Sequence, residues 1–201
     1  MPISTETITF VAAMPLEANA LRRRVKDMRV IEGGIALDRE PIIDVTHPVV
    51  VCGIAGGLRS DIPSGTVVIP DKVFAPDGSW INCDAELAAR LRSAAERLSV
   101  PWTSDPLLTS ATMVVGRERL QWAAQGFAAV DMETGLIKAP RLGAIRVIFD
   151  TPSREISPDW LHPVRALLKP SNWVQLPMLI KDAPRYCDLA ARVAAEAFAG
   201  R

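Results

Sequence analysis

Apolar residues in this chain come in short unbroken runs, and the stretches between them follow helical periodicity. Val49-Val-Val-Cys52 has no polar residue, the pattern of a strand buried on both faces. Ile8-Thr-Phe-Val-Ala-Ala13, Thr66-Val-Val-Ile69, Phe127-Ala-Ala-Val-Asp131 and Ala144-Ile-Arg-Val-Ile-Phe149 read as further strands, and residues 107–115 as a strand region. Met14 to Arg24 predicts a helix with Pro15 in its first turn, where a missing N–H costs little. Asp84 to Leu98 predicts a second helix, with Asp84 as its N-cap and Glu86 near its positive end. A short helix follows from Gly116 to Gln125, and Met132 to Lys138 reads as a helix start. Met28 to Ile31 and Gly34 to Leu37, flanking Glu32-Gly33, predict a hairpin. From about Pro158 the pattern is helical, broken at Lys169-Pro170 and Leu176-Pro177, and Asp182 to Ala199 reads as an amphipathic terminal helix. Strands alternating with helices, without repeat or linker, predict one α/β domain over residues 1–201 with a mixed, mostly parallel sheet.

Composition removes several classes. Hydrophobic residues are 49% of the 201 and charged ones 23%, as in a soluble globular protein. Lys plus Arg and Asp plus Glu are both 23, so the chain lacks the basic footprint of a nucleic-acid binder, and no nucleic-acid partner is expected. Cys52, Cys83 and Cys187 are scattered, and only His47 and His162 could join them. No metal site is expected, and a reducing compartment is. The first residues lack the pattern of a secretory signal, and no run approaches the ~20 apolar residues that span a bilayer. A cytoplasmic location is expected.

Candidate chemistry sits where strands end. Cys52-Gly-Ile-Ala-Gly-Gly-Leu58 follows the valine run, and glycines there let a ligand approach the backbone. Glu17, Glu133 and Asp150 also lie where apolar strands give way, the place where ligands gather in open α/β sheets. A partly dehydrated carboxyl there can act as an acid near neutral pH, or simply complement a helix dipole. Residue patterns alone go no further than a small-molecule site.

Four segments in order resemble the purine nucleoside phosphorylase / methylthioadenosine nucleosidase superfamily. They are Ala13-Met-Pro-Leu-Glu17, Gly53-Ile-Ala-Gly-Gly-Leu58 with Pro63 to Val68, Ala129-Val-Asp-Met-Glu133, and Arg146-Val-Ile-Phe-Asp150. The tail, Ser153 to Trp160 with Gln175 to Ala183, looks most like the hopanoid-associated branch. The resemblance implies a three-layer α/β/α domain that cleaves the N-glycosidic bond of a purine nucleoside, without metal or organic cofactor. It implies that Asp150 is the acid at purine N7, that Glu133 accepts from ribose hydroxyls with Met132 against the sugar, and that Glu17 activates water. Ala55, Gly56, Gly57, Asp131, Phe149 and Phe127 are the further residues expected around the substrate. Phosphorylases of this type carry an Arg and a Ser near the glycine stretch, where Val51 and Ile54 stand here, and residues 38–48 are too short for a crossover helix with its loops. Hydrolysis is therefore expected over phosphorolysis; the alternatives are a phosphorylase using other residues, such as Arg39 or Arg59, and a non-catalytic nucleoside-binding homologue. A 5′-substituted adenosine such as adenosylhopane is the expected substrate, with adenine released. A homo-oligomer, a dimer first, and peripheral membrane contact through the apolar segment from Trp173 to Ile180 are also expected.

Overall fold

The first apolar run forms strand β1, Thr9–Ala12; the chain turns at once into helix α1, Pro15–Arg24, and returns as β2, Arg29–Glu32. This computed structural model describes residues 8–39, 46–161 and 163–198. β2 lies parallel to β1, with Val30 opposite Phe10, so the expected hairpin is replaced by a β-α-β unit. The reason is burial: Ala18, Ala20 and Leu21 of α1 must cover the sheet, which a local hairpin would not require. The residues expected as the second hairpin strand form a 3-10 turn, Ile35–Leu37, entered through Gly34 at φ 80°.

Strand β3, Val49–Gly57, runs five residues beyond its valine-rich start. The short strands β4 (Val67–Val68), β5 (Lys72–Phe74), β6 (Trp80–Asn82), β7 (Trp102–Thr103), β8 (Leu107–Thr109) and β9 (Ala129–Asp131) follow, then the long β10 (Leu142–Asp150). Helices are α2 (Ala85–Arg97), α3 (Arg117–Ala124), α4 (Pro163–Leu167) and α5 (Leu176–Phe198). Asp84 caps α2 as expected, its carboxylate accepting from the N–H groups of Glu86 and Leu87. α5 begins earlier than expected, because Pro177 falls in its first turn, where proline is tolerated.

β3 and β10 form the parallel spine of the sheet. β10 continues to β4 and β7, while β9, β8, β5 and β6 extend from the other edge of β3. The sheet is mixed and mostly parallel, as predicted. Alternation divides the core: Phe10, Val50, Cys52, Ile145 and Val147 pack beneath α1, α2 and α5. Val11, Val49, Val51 and Leu142 face the opposite side, covered by Leu37 and Ile137 beside short 3-10 turns. One outer layer is thus helical and the other mostly turns, with α3 set over β8 and β9 through Trp122.

One step in this topology creates the site. β1 pairs with the start of β3, from Val49 to Val51, and stops. Further along the same edge, Gly56 and Gly57 pair with β9. Between the two partners, β3 presents an unpaired stretch, a fork of the kind where α/β proteins bind ligands. Of the shortened stretch expected at residues 38–48, residues 40–45 lie outside the described residues. Among the described residues, no helix is long and apolar enough to cross a membrane.

Candidate active site

A cavity of about 190 Å³ occupies the fork. Ala13 and Met14 enter it from the end of β1, Ile54, Ala55 and Gly56 from β3, Val130 and Asp131 from β9, Met132 and Glu133 from the turn after it, and Phe149 and Asp150 from β10. Ile35, Met113 and Ile156 add an apolar wall.

Glu17 is buried at the first turn of α1. Its Oε2 accepts from the N–H groups of Ala13 and Met14, both at 2.9 Å, and its Oε1 from Ile54 N–H at 2.8 Å. The carboxylate therefore ties the end of β1 to the unpaired stretch of β3, and Oε1 keeps one lone pair for a ligand or water. Burial holds its pKa above the ordinary range despite Arg146 and the three amides. Gly53 makes this packing feasible, since a Cβ there would lie 2.1 Å from Glu17 Oε1 and 2.9 Å from Arg146 Nη1. Gly53→Ala should destabilise the fold by about 2 kcal/mol, the usual scale of overpacking, and displace Glu17. Urea unfolding checks this, and an unchanged midpoint would contradict it.

Arg146 lies fully buried in the middle of β10, within a strand whose nine residues are all buried. Its Nη2 reaches Asp131 Oδ2 at 2.7 Å and Glu133 Oε2 at 2.9 Å. Asp131 also accepts from Thr109 Oγ1 at 2.6 Å and from both the N–H and the hydroxyl of Thr134. Glu133 Oε1 accepts from Ala36 N–H at 3.1 Å. Burial raises Glu133 to about 7, because the Arg146 charge is shared with Asp131 and Glu17 and cannot fully offset the desolvation.

Asp150 ends β10. Its Oδ2 accepts from Arg119 Nη2 at 2.6 Å and from Ile156 N–H at 3.0 Å. Burial raises its pKa, with Arg119 opposing the rise. Gly56 keeps room beside it: a Cβ there would stand 3.2 Å from Asp150 Oδ1.

Of the residues singled out in the sequence, Glu17, Glu133, Asp150, Met132, Ala55, Gly56, Asp131 and Phe149 all border this cavity. Two do not. Phe127 is buried in an aromatic cluster, stacked on Trp80 at 5.5 Å and edge-on to Trp122 at 5.4 Å, because its strand-start position faces α3 and β6. Gly57 lies behind the cavity, where a Cβ would meet Ile148 and the Asp150 carbonyl; its own carbonyl accepts from Arg119. Val51 is core. Arg39 pairs with Glu32, and Arg59 with Asp61 and Asp105. Among the described residues no three His, Cys, Asp or Glu side chains are grouped to hold a metal.

Arg146 and Arg119 were not anticipated as site residues. Arg146 had a readable signal, a cation within an otherwise apolar strand run, which demands a buried counter-charge. Arg119 had none, standing among the charged residues of Gly116-Arg-Glu-Arg-Leu120.

A family model described as the phosphorylase superfamily matches residues 46–138, the span that carries β3, β9 and Glu133. Solved structures match over nearly the whole chain. The 5′-methylthioadenosine/S-adenosylhomocysteine nucleosidase of Neisseria meningitidis, in complex with methylthio-immucillin-A, has TM-score 0.71 at 17% identity, covering 96% of this chain and 98% of that one. The fold is that of these nucleosidases. The corresponding nucleosidase of Colwellia psychrerythraea, in complex with adenine, has TM-score 0.72 at 16% identity, covering 98% and 96%. Futalosine hydrolase of Helicobacter pylori shares the nucleosidase fold at TM-score 0.72 and 13% identity, covering 96% and 97%. No curated protein matches the chain by sequence.

Proposed function

We propose that this chain is an enzyme of the phosphorylase superfamily that hydrolyses the N-glycosidic bond of a purine nucleoside and releases adenine. One observation carries the reading: Glu17 from the first turn of α1, Glu133 from just after β9 and Asp150 from the end of β10 border one cavity, and each has different partners. In the proposed reaction Asp150 gives its proton to purine N7 as the C1′–N9 bond breaks and the bonding pair leaves with the base. Glu133 accepts from the ribose hydroxyls, and its negative charge favours the cationic character that builds on the sugar. Water attacks C1′ and passes a proton to the open lone pair of Glu17 Oε1, whose raised proton affinity suits a base. Solvent returns that proton to Asp150, so the site ends as it began.

Water rather than phosphate is supported by the cations at hand. Both arginines that border the cavity are already held by buried carboxylates. The 5′ substituent is assigned as apolar, on the strength of the Ile35, Met113, Phe149 and Ile156 wall. A polycyclic lipid, as in adenosylhopane, is the largest such group; the tail resemblance and the exposed Val164, Leu168, Trp173, Val174 and Ile180 support it.

Adenine release from 5′-methylthioadenosine and longer 5′-alkyl analogues, with and without phosphate, tests the reading. Equal release in both buffers is expected, and strict dependence on phosphate would overturn hydrolysis. Binding with no release from any analogue would make the chain a nucleoside-binding protein. Glu17→Gln should slow release by about 10²- to 10⁴-fold, the usual contribution of a general base. An unchanged rate would leave Glu17 as only the cap of α1.

A further inference from the structure

We infer that Arg119 is a positioning residue that commits Asp150 to a single reactive atom, holding Oδ2 so that only Oδ1 is offered to the leaving base. The inference rests on the proposed role of Asp150 as the acid.

The geometry is that of a clamp. Arg119 is the buried residue of the eight-residue helix α3, and its guanidinium reaches three separate segments. Nε donates to Val114 O at 3.0 Å in the loop before α3, and Nη1 to Gly57 O at 2.9 Å at the end of β3. Nη2 donates to Asp150 Oδ2 at 2.6 Å, the short distance of a charge-assisted bond. These segments meet at the corner of the cavity bounded by Val114, Gly56 and Asp150. A planar fork of fixed N–H directions can join them in one arrangement; an apolar side chain could fill the volume but not link the three.

The consequence for the proton follows from lone-pair occupancy. Asp150 Oδ2 already accepts two donors, Arg119 and Ile156 N–H. A carboxylate oxygen has two such sites, so a proton on Asp150 must reside on Oδ1, the atom beside Gly56. Desolvation favours the protonated carboxyl, while the guanidinium limits how tightly that proton is held. Other ionisable groups facing this corner are Glu155, 3.3 Å from Arg119 Nε, and, around the cavity, Glu133, Asp131, Glu17 and Arg146. Arg146 is engaged by Asp131 and Glu133, so Arg119 is the cation that acts on Asp150 directly.

The test uses Arg119→Gln and Arg119→Lys in the full chain, each checked for folding by circular dichroism. The Asp150 carboxyl is followed by ¹³C NMR, identified by its absence in Asp150→Asn, and pH profiles of kcat/KM are measured in parallel. Arg119→Gln should move the Asp150 titration up by about one unit or more, as expected for losing an adjacent guanidinium. The alkaline limb of kcat/KM should move with it, while kcat falls more than KM rises. Arg119→Lys should return the titration toward its original position but only part of kcat, because an ammonium cannot link all three segments. An unmoved titration in Arg119→Gln overturns the inference, even where the rate falls. The NMR readout does not depend on turnover, so absence of adenine release would overturn the proposed reaction without masking this result.

Discussion

Asp150→Asn should lower adenine release by about 10²- to 10⁴-fold while nucleoside binding survives, the range expected for losing a general acid. The local bonds define what the amide will do. Arg119 and Ile156 N–H both need an acceptor at the Oδ2 position, so the amide oxygen will take it and the NH₂ will face the cavity. That NH₂ can donate a hydrogen bond to N7 but cannot transfer a proton. Binding is therefore retained and bond cleavage is not. The substitution also leaves Arg119 without its main counter-charge, with Glu155 at 3.3 Å as the remaining acid. A stability loss of up to about 3 kcal/mol is expected, because a buried cation has lost its partner. Urea unfolding beside single-turnover kinetics separates the two effects. Turnover within a few fold of the parent would remove Asp150 from the chemistry.

The parts of this site that sequence made legible are those that repeat along one strand. Buried runs such as Val49 to Cys52 have few alternatives to a strand, and a carboxylate at the end of such a run stands out. Glu17, Glu133 and Asp150 were found that way, although which of them share a cavity depends on the fork between β1 and β9, a long-range pairing. The hairpin expected at residues 28–37 failed for the same reason. Glu32-Gly33 reads as a local turn, but β2 pairs parallel with β1 after the chain returns through α1. Phe127, expected around the substrate, packs instead with Trp80 and Trp122 in an aromatic cluster. Arginine pairing was the least legible part. A guanidinium on α3 meets a carboxylate on β10 31 positions later, and no spacing rule links the two.

Arg146→Met should destabilise the native fold far more near pH 8 than near pH 5. In the native protein one guanidinium faces Asp131, Glu133 and Glu17, all buried, and contacts the first two directly. Removing it strands these negative charges in a poor solvent. Breaking a buried ion pair in this way costs about 3–5 kcal/mol, against a total stability of about 5–15 kcal/mol for a typical domain. The sign of the pH effect follows from the raised proton affinities. A carboxyl that holds its proton more tightly folded than unfolded adds stability below its unfolded pKa, 4.5 for Glu133. That stability is lost as pH rises through the folded value, about 7 for Glu133 in the parent and higher once Arg146 is gone. Thermal melts of parent and variant at pH 5, 6.5 and 8 should therefore diverge as pH rises. Adding Glu133→Gln to Arg146→Met should recover part of the loss at pH 8, since one stranded charge is then absent. A variant whose stability deficit is the same at all three pH values would mean that Arg146 acts through packing, and that the carboxylates around the cavity do not depend on its charge.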